Sequence, residues 1–354
     1  MLTCTPAAQL LIDLDALAAN WRALRALSGG APAGAAVKAG AYGLGLAPVS
    51  LRLAREGCTD FFVATLQEGE QLRRILPDAT VHVLHGFTAA DMPTLLNARL
   101  TPVIDTPEQA ELWRQVAAPC SLMIDTGMNR LGLRPEQIAA LDLADLDIDL
   151  AMSHLACADE PDHAMNARQR TRFLDLATKV QARRRSLANS AGACLGPDYA
   201  FDLTRPGLGL YGGLPSPLAA GRIAPVVRTQ APVLQVKTIA AGETVGYGAT
   251  WQAERETRIA TLGIGYADGY PRQLSGKDAW VELNGQRCPL VGRVSMDLIC
   301  VDAGAADPGV GALATVIGGA ALSLEDIAAR TGLAAYEVLT GLGDRFNRRY
   351  SGAT

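Results

Sequence analysis

At 354 residues the chain is too long for one small core, and two domains are the expectation. Hydrophobic residues make up 49% and charged residues only 19%, which excludes a disordered chain. A net charge of −4 excludes a global field that would draw it to nucleic acid or to an anionic membrane.

The opening MLTCTPAAQ has neither a charged n-region nor a long apolar core, so no signal peptide is expected. No apolar run reaches the length of a membrane span. The cysteines (Cys4, Cys58, Cys120, Cys157, Cys194, Cys288 and Cys300) are scattered, odd in number and never spaced C-x-x-C. That pattern suits free thiols in a reducing cytoplasm better than a disulfide framework or a zinc site.

From about residue 35 to 210, short apolar runs alternate with helix-like stretches. The runs are 35–39, 61–64, 81–85, 102–105, 121–125, 148–154, 186–189 and 201–205. Thr106-Pro107-Glu108-Gln109 reads as an N-cap, a first-turn proline and a capping glutamine. Phe173, Leu176, Ala177 and Val180 share one helical face. Arg183-Arg184-Arg185 reads as the solvated end of a helix. This alternation predicts an N-terminal (β/α)8 TIM-like barrel over 1–228. The rhythm then changes to strands at 233–239, 258–264, 279–283, 287–291, 294–301 and 313–318, with one clear helix at 323–330. Asn284-Gly285 is a hairpin signal because both central turn positions need positive φ. A mainly-β C-terminal domain is therefore expected over 229–354.

Lys38 ends an apolar run and precedes a glycine-rich turn, Ala39-Gly40-Ala41-Tyr42-Gly43-Leu44-Gly45. Barrel active sites lie at the C-terminal ends of the strands. A desolvated lysine there has the lowered pKa that condensation with an aldehyde needs. Taken alone, the segment fits a snorkelling lysine equally well. Gly207-x-Gly209-x-x-Gly212 matches the dinucleotide fingerprint, but Gly213, Pro215 and Pro217 follow where a helix should begin, and that reading is rejected. His82, His85 and His163 lack metal-ligand spacing, so no metal is expected.

Lys38-Ala39-Gly40-Ala41-Tyr42-Gly43-Leu44-Gly45 resembles the cofactor-lysine signature of the alanine racemases, barrel-type pyridoxal-phosphate enzymes. Further segments resemble that family in order along the chain. They are Asp125-Thr126-Gly127-Met128-Asn129-Arg130, Ser153-His154-Leu155, Asn189-Ser190, Arg205-Pro206-Gly207, Gly246-Tyr247-Gly248, Gly265-Tyr266-Ala267-Asp268, Ser295-Met296-Asp297 and 336–350. Gly40 and Leu44 depart from the asparagine and histidine often found there, at positions that need not touch the chemistry.

The resemblance implies interconversion of L- and D-alanine, serving peptidoglycan synthesis or D-alanine catabolism. It implies pyridoxal phosphate on Lys38, and phosphate donors from Tyr42, Ser190, Tyr350 and the amides around Gly207 and Leu208. Asn189 belongs to the same cofactor-binding segment. Arg205 would face the pyridine nitrogen; it cannot give up its proton, so the ring would stay neutral. Tyr247 would be the second base, supplied by the other subunit of an obligate homodimer. A phenol is a weak base at neutral pH and needs support, which His154 and Arg205 would provide. Arg130 would hold the substrate carboxylate and the cofactor's phenolic oxygen, with the Met296 backbone of the partner. Tyr266, Arg272 and Asp297 would line the entrance. Many members have at the position of Met123 a lysine carbamylated to an anion that orients this arginine. Met123 cannot carry that charge, so Asp125 or a bound anion is expected to position Arg130. The residues leave open a racemase of serine, lysine or several amino acids, and a non-catalytic pyridoxal-phosphate carrier. A decarboxylase fits less well, because those enzymes set a carboxylate where Arg205 stands.

Overall fold

The computed structural model describes residues 7–352. Cys4 lies outside these residues. The chain divides into two units, one of residues 15–224 and one combining residues up to 14 with 225–352. The division falls at Pro225, close to the expected 228/229 boundary. The N-terminal strand, however, belongs with the C-terminal residues and not with the barrel. Strand β1 (Gln9–Asp13) pairs in parallel with a strand near the other end of the chain, and that long-range pairing leaves no mark in local periodicity.

The 15–224 unit is a parallel sheet of β2 (Ala35–Ala36), β3 (Asp60–Val63), β4 (Thr80–Val83), β5 (Thr101–Ile104), β6 (Cys120–Met123), β7 (Ile148–Met152) and β8 (Arg184–Ser186), hydrogen-bonded in chain order. The eighth position is filled by irregular backbone at 202–206. Asp202 and Arg205 donate their amides to the Arg185 and Ala188 carbonyls on one side. On the other, the Gly34 and Ala36 amides donate to the Thr204 and Pro206 carbonyls. These bonds close the (β/α)8 barrel. Helices follow the strands with legible caps: Thr106 accepts from the Gln109 amide and opens Pro107–Trp113, and Phe173, Leu176, Ala177 and Val180 are all buried.

The arginine run is not a helix end. Arg184 lies in β8 and donates to both oxygens of Asp60 (3.1 and 2.7 Å) and to Asp149 (2.6 Å). His82 continues this cluster, 3.2 Å from Asp60 and 2.9 Å from the Ser121 hydroxyl. Asp60, His82 and Asp149 are close enough to share a metal ion, but the Arg184 guanidinium already supplies the positive charge there. Despite the cost of burial, His82 and Arg184 hold the Asp60 carboxyl well below the usual carboxylate range.

The other unit contains β1 and β9 (Val227–Ile239), β10 (Thr244–Val245), β11 (Trp251–Gln252), β12 (Thr257–Leu262), β13 (Trp280–Leu283), β14 (Gln286–Val291), β15 (Ile299–Asp302), β16 (Leu313–Ile317) and β17 (Asn347–Ser351). Their order is β12-β15-β14-β13-β16-β9-β1-β17, and a further β12–β9 pairing closes the inner strands into a ring. Asn284 and Gly285 turn β13 into β14 with φ of 49° and 75°. Ser323 and Asp326 form the capping box of Leu324–Thr331. Two differences from expectation concern long-range order. The run 294–301 becomes strand only from Ile299, and a second helix, Ala335–Thr340, precedes β17. No helix among the described residues is long and apolar enough to cross a membrane.

Arg184→Ala would leave Asp60 buried without its cation. Because Arg184 is itself partly exposed, the expected loss is about 3 kcal/mol, the lower end for a broken buried pair. Chemical denaturation at neutral pH checks it, and a loss no larger than that of a surface arginine would remove the cluster's structural role.

Candidate active site

The mouth of the barrel is built on the segment that follows β2. The strand was expected to run through residue 39, but it ends at Ala36, and the Val37 amide makes the last ladder bond, to Phe62. Lys38 then starts a left-handed turn with φ of 52°, 61°, 57° and 55° at Ala39, Gly40, Ala41 and Tyr42. Left-handed backbone costs roughly 1–2 kcal/mol for each residue bearing a Cβ, so something must hold it. Amide-to-carbonyl bonds Ala41–Val37, Gly43–Ala39 and Gly45–Gly40 close the turn. Glu68 clasps it from the next βα unit. Its Oε1 accepts from the Ala39 amide at 2.6 Å, and its Oε2 accepts from the Ala64 and Thr65 amides. Sequence reasoning missed Glu68; Thr65-x-x-Glu68 is a capping-box signature that could have drawn attention to it.

Lys38 stays half-buried at this turn. Burial, then the positive charge of Arg130, lowers the pKa of its ammonium, and Glu68 opposes them. The side chain is thereby moved towards the neutral amine that can attack an aldehyde or accept a proton.

Opposite Lys38, the closing backbone forms a cradle. The Ser190 hydroxyl oxygen accepts from the Gly207 amide at 2.8 Å and from the Gly209 amide at 3.2 Å, which leaves its proton to donate. Asn189 acts locally, its side chain accepting from the Gly192 amide and capping Ser190–Cys194. Tyr42 stacks on Tyr211 with centroids 4.6 Å apart, and the buried Tyr211 hydroxyl donates to the Ala36 carbonyl. A Cβ on Gly207 would lie 2.4 Å from the Tyr42 hydroxyl. Glycine therefore lets the Ser190 and Tyr42 hydroxyls converge beside this backbone, donors that suit a phosphate.

Arg205 is buried and donates to the Ser186 hydroxyl and the Ser153 carbonyl, both neutral partners. Burial lowers its pKa to about 10, so it remains a cation at neutral pH. Among the described residues Arg205 makes no salt bridge. His154 follows β7, with its carbonyl bonded by Gln169. Burial first, then Arg205, Arg130 and Lys38, push its pKa down to about 3, which keeps the imidazole neutral.

Arg130 sits on a loop tied back to β6 by the Leu133 amide to the Met123 carbonyl and the Asp125 amide to the Leu133 carbonyl. Asp125 makes contacts within its own loop, its Oδ1 accepting from the Gly127 and Asn129 amides. Lys38, Tyr42, Arg130, His154, Asn189, Ser190, Arg205, Gly207 and Leu208 all belong to the barrel unit. Tyr247, Tyr266, Arg272, Met296, Asp297 and Tyr350 belong to the β unit. Within it, Tyr247 sits in the bend between β10 and β11 and is 73% exposed, and Met296 is 54% exposed.

Comparison with known proteins decides what this arrangement is. The alanine racemase N-terminal domain family matches residues 12–215, and the alanine racemase C-terminal domain family matches 226–350. The chain belongs to the alanine racemase family. Alanine racemase of a Jannaschia species is 47% identical over 96% of this chain and 97% of its own length. That of Methylobacterium nodulans is 44% identical over 98% and 97%. The crystal structure of the Bartonella henselae alanine racemase with covalently bound pyridoxal phosphate is 35% identical, covers 98% of this chain and 100% of its own, and superposes with a TM-score of 0.92.

Two outcomes follow for this alanine racemase fold. Gly207→Ala forces Tyr42 off its stack on Tyr211; overpacking of this kind costs about 1–3 kcal/mol, so affinity for pyridoxal phosphate should fall about tenfold or more. Spectrophotometric titration checks it, and unchanged affinity would mean that the cradle does not hold the phosphate. The second concerns pH. His154 has a folded pKa near 3 against an ordinary 6.5, so its contribution is complete above pH 6.5. As pH falls below that, the unfolded chain takes up the proton while the folded one does not, and stability drains away towards the folded pKa. Between about pH 7.5 and about pH 4.5, the protein should lose more stability than a His154→Asn variant does. Parallel slopes in denaturant melts would contradict a neutral, half-buried His154.

Proposed function

We propose that this protein interconverts L- and D-alanine with pyridoxal phosphate as its cofactor, using Lys38 of one chain and Tyr247 of its partner as the two bases. The observation that carries this reading is Lys38 itself: a half-buried lysine of lowered pKa, held at a barrel mouth by a strained turn. When bound, pyridoxal phosphate supplies an electron sink for the bond that breaks at the substrate's Cα.

The chain's own residues provide the rest. Ser190, Tyr42 and the amides near Gly207 and Leu208 anchor the phosphate, with Tyr350 as a further donor. Arg205 holds its proton through the reaction, so nothing is transferred to the pyridine nitrogen beside it. With Arg205 giving up no proton, return of a proton to Cα would be favoured over transamination. Arg130 binds the substrate carboxylate. Lys38 Nζ takes the Cα proton from one face, and the Tyr247 hydroxyl delivers one from the other; the reverse reaction exchanges these roles. Tyr266, Arg272 and Asp297 line the approach, where little space favours a methyl side chain.

The exposure of Tyr247 on a single chain supports a homodimer in which each tyrosine reaches the partner's site, beside the partner-facing Met296 backbone. The free cysteines among the described residues, most of them buried, support a reducing cytoplasm as its location.

Complementation tests the shared site. Lys38→Ala and Tyr247→Phe should each be nearly inactive alone. Statistical subunit exchange makes half the dimers mixed, each with one intact site of two, so activity should return to about a quarter of wild type. No recovery after demonstrated exchange would put Tyr247 in its own chain's site or outside the chemistry. Borohydride fixation of the cofactor on Lys237 or Lys277 in place of Lys38 would overturn the lysine assignment.

A further inference from the structure

Asp105 is a buried carboxylic acid that the mechanism above does not use. It directly follows β5, at the C-terminal end of the barrel strands, and is only 5% exposed. Neither carboxyl oxygen has a hydrogen-bond partner. Its backbone, in contrast, is fixed, the amide donating to Gln109 Oε1 at 2.7 Å. Burial alone raises the carboxyl's pKa to about 7. An unsatisfied buried acid costs stability, and such groups persist where function uses them.

Register shows what lies beside it. Val103 pairs with Ser121 and Ile104 with Leu122, so Asp105 comes level with Met123 on the next strand, and paired residues face the same side of a sheet. Ser121 bonds the buried His82, which stacks on Phe62 inside the barrel, so this row faces the interior. The Arg130 loop is tied down on Met123 itself, through the Leu133 amide. The charge on Arg130 reaches Lys38 and His154, which places the guanidinium's influence at the same mouth. Of the carboxylates near these strand ends, Glu68 is taken by three backbone amides and Asp125 by two. Asp105 has both oxygens to offer.

We propose that in the loaded enzyme Asp105 is a positioning residue for Arg130, its carboxylate drawing in the guanidinium, which is exposed in this structure, and aiming it at the substrate carboxylate. This rests on the reading that Arg130 holds that carboxylate. A methionine at position 123 is consistent with it, since an unbranched thioether fills space beside the pair without competing for the charge.

The test uses cofactor-loaded enzyme and propionate, which carries alanine's carboxylate without its amine. Propionate binding is followed by calorimetry for wild type, Asp105→Asn, Arg130→Ala and the double variant, alongside KM and kcat for alanine. A hydrogen bond between charged groups sets the expected scale. Asp105→Asn should weaken propionate about tenfold and raise KM about as much, with a smaller change in kcat. The double variant should bind no more weakly than Arg130→Ala alone, because the carboxylate acts through the arginine. Asn replaces Asp without change of shape, and its thermal midpoint confirms folding; Asp105→Ser serves if it does not fold. If Arg130→Ala weakens propionate but Asp105→Asn does not, the proposal falls and the reading of Arg130 stands. Independent, multiplying effects would also overturn it, since they would make Asp105 a structural acid. If Arg130→Ala leaves propionate binding unchanged, the carboxylate reading fails and takes the proposal with it.

Discussion

The site depends on how the barrel closes. Its last position is irregular backbone at 202–206, hydrogen-bonded on one side to residues 185–188 and on the other to the Gly34 and Ala36 amides. That closure brings the end of the chain's barrel segment against its beginning. Arg205 and Gly207 thus come to lie beside the strand that leads to Lys38, although they are far apart in sequence. A regular strand would have carried its own ladder onward; the irregular one turns at Pro206 and frees the Gly207 and Gly209 amides for Ser190.

Strain and charge are concentrated at the same end. The left-handed turn after Lys38 persists because Glu68 and the turn's own carbonyls over-determine it. Burial first, then the positive charges of Arg205, Arg130 and Lys38, keep His154 neutral. The opposite end carries the Asp60–His82–Arg184 cluster, where buried charges are paired and hydrogen-bonded. Stability is spent at the mouth and recovered at the base, a division expected of a barrel whose chemistry sits at one face.

The β unit adds a different kind of part. Beside the ring of strands, the separate β10–β11 hairpin packs Val245 and Trp251 into a small core cluster and leaves Tyr247 exposed at its bend. The same unit draws its first strand from the N-terminus and its last from the C-terminus, so both ends of the described chain are pinned in one sheet.

Sequence by itself determined the alternation of the barrel, the change of rhythm near residue 228, the Asn284-Gly285 hairpin, the Thr106 and Ser323 caps, and the glycine-rich turn after Lys38. These are local properties: strand and helix periodicity, turn chemistry and capping act over a few residues and leave their mark in them. Only the tertiary structure decided what depends on distant partners. Arg184 looked like a solvated helix end until it met Asp60, 124 residues away. The strand at Lys38 stopped early because Glu68 captured an amide 29 residues back. Asp125, a plausible partner for Arg130 by proximity in sequence, turned inward to its own loop. Asp105 read as the end of an apolar run, and nothing local shows that its carboxyl is buried and unpartnered. Periodicity says which side of an element is apolar; only packing says which polar atoms find each other.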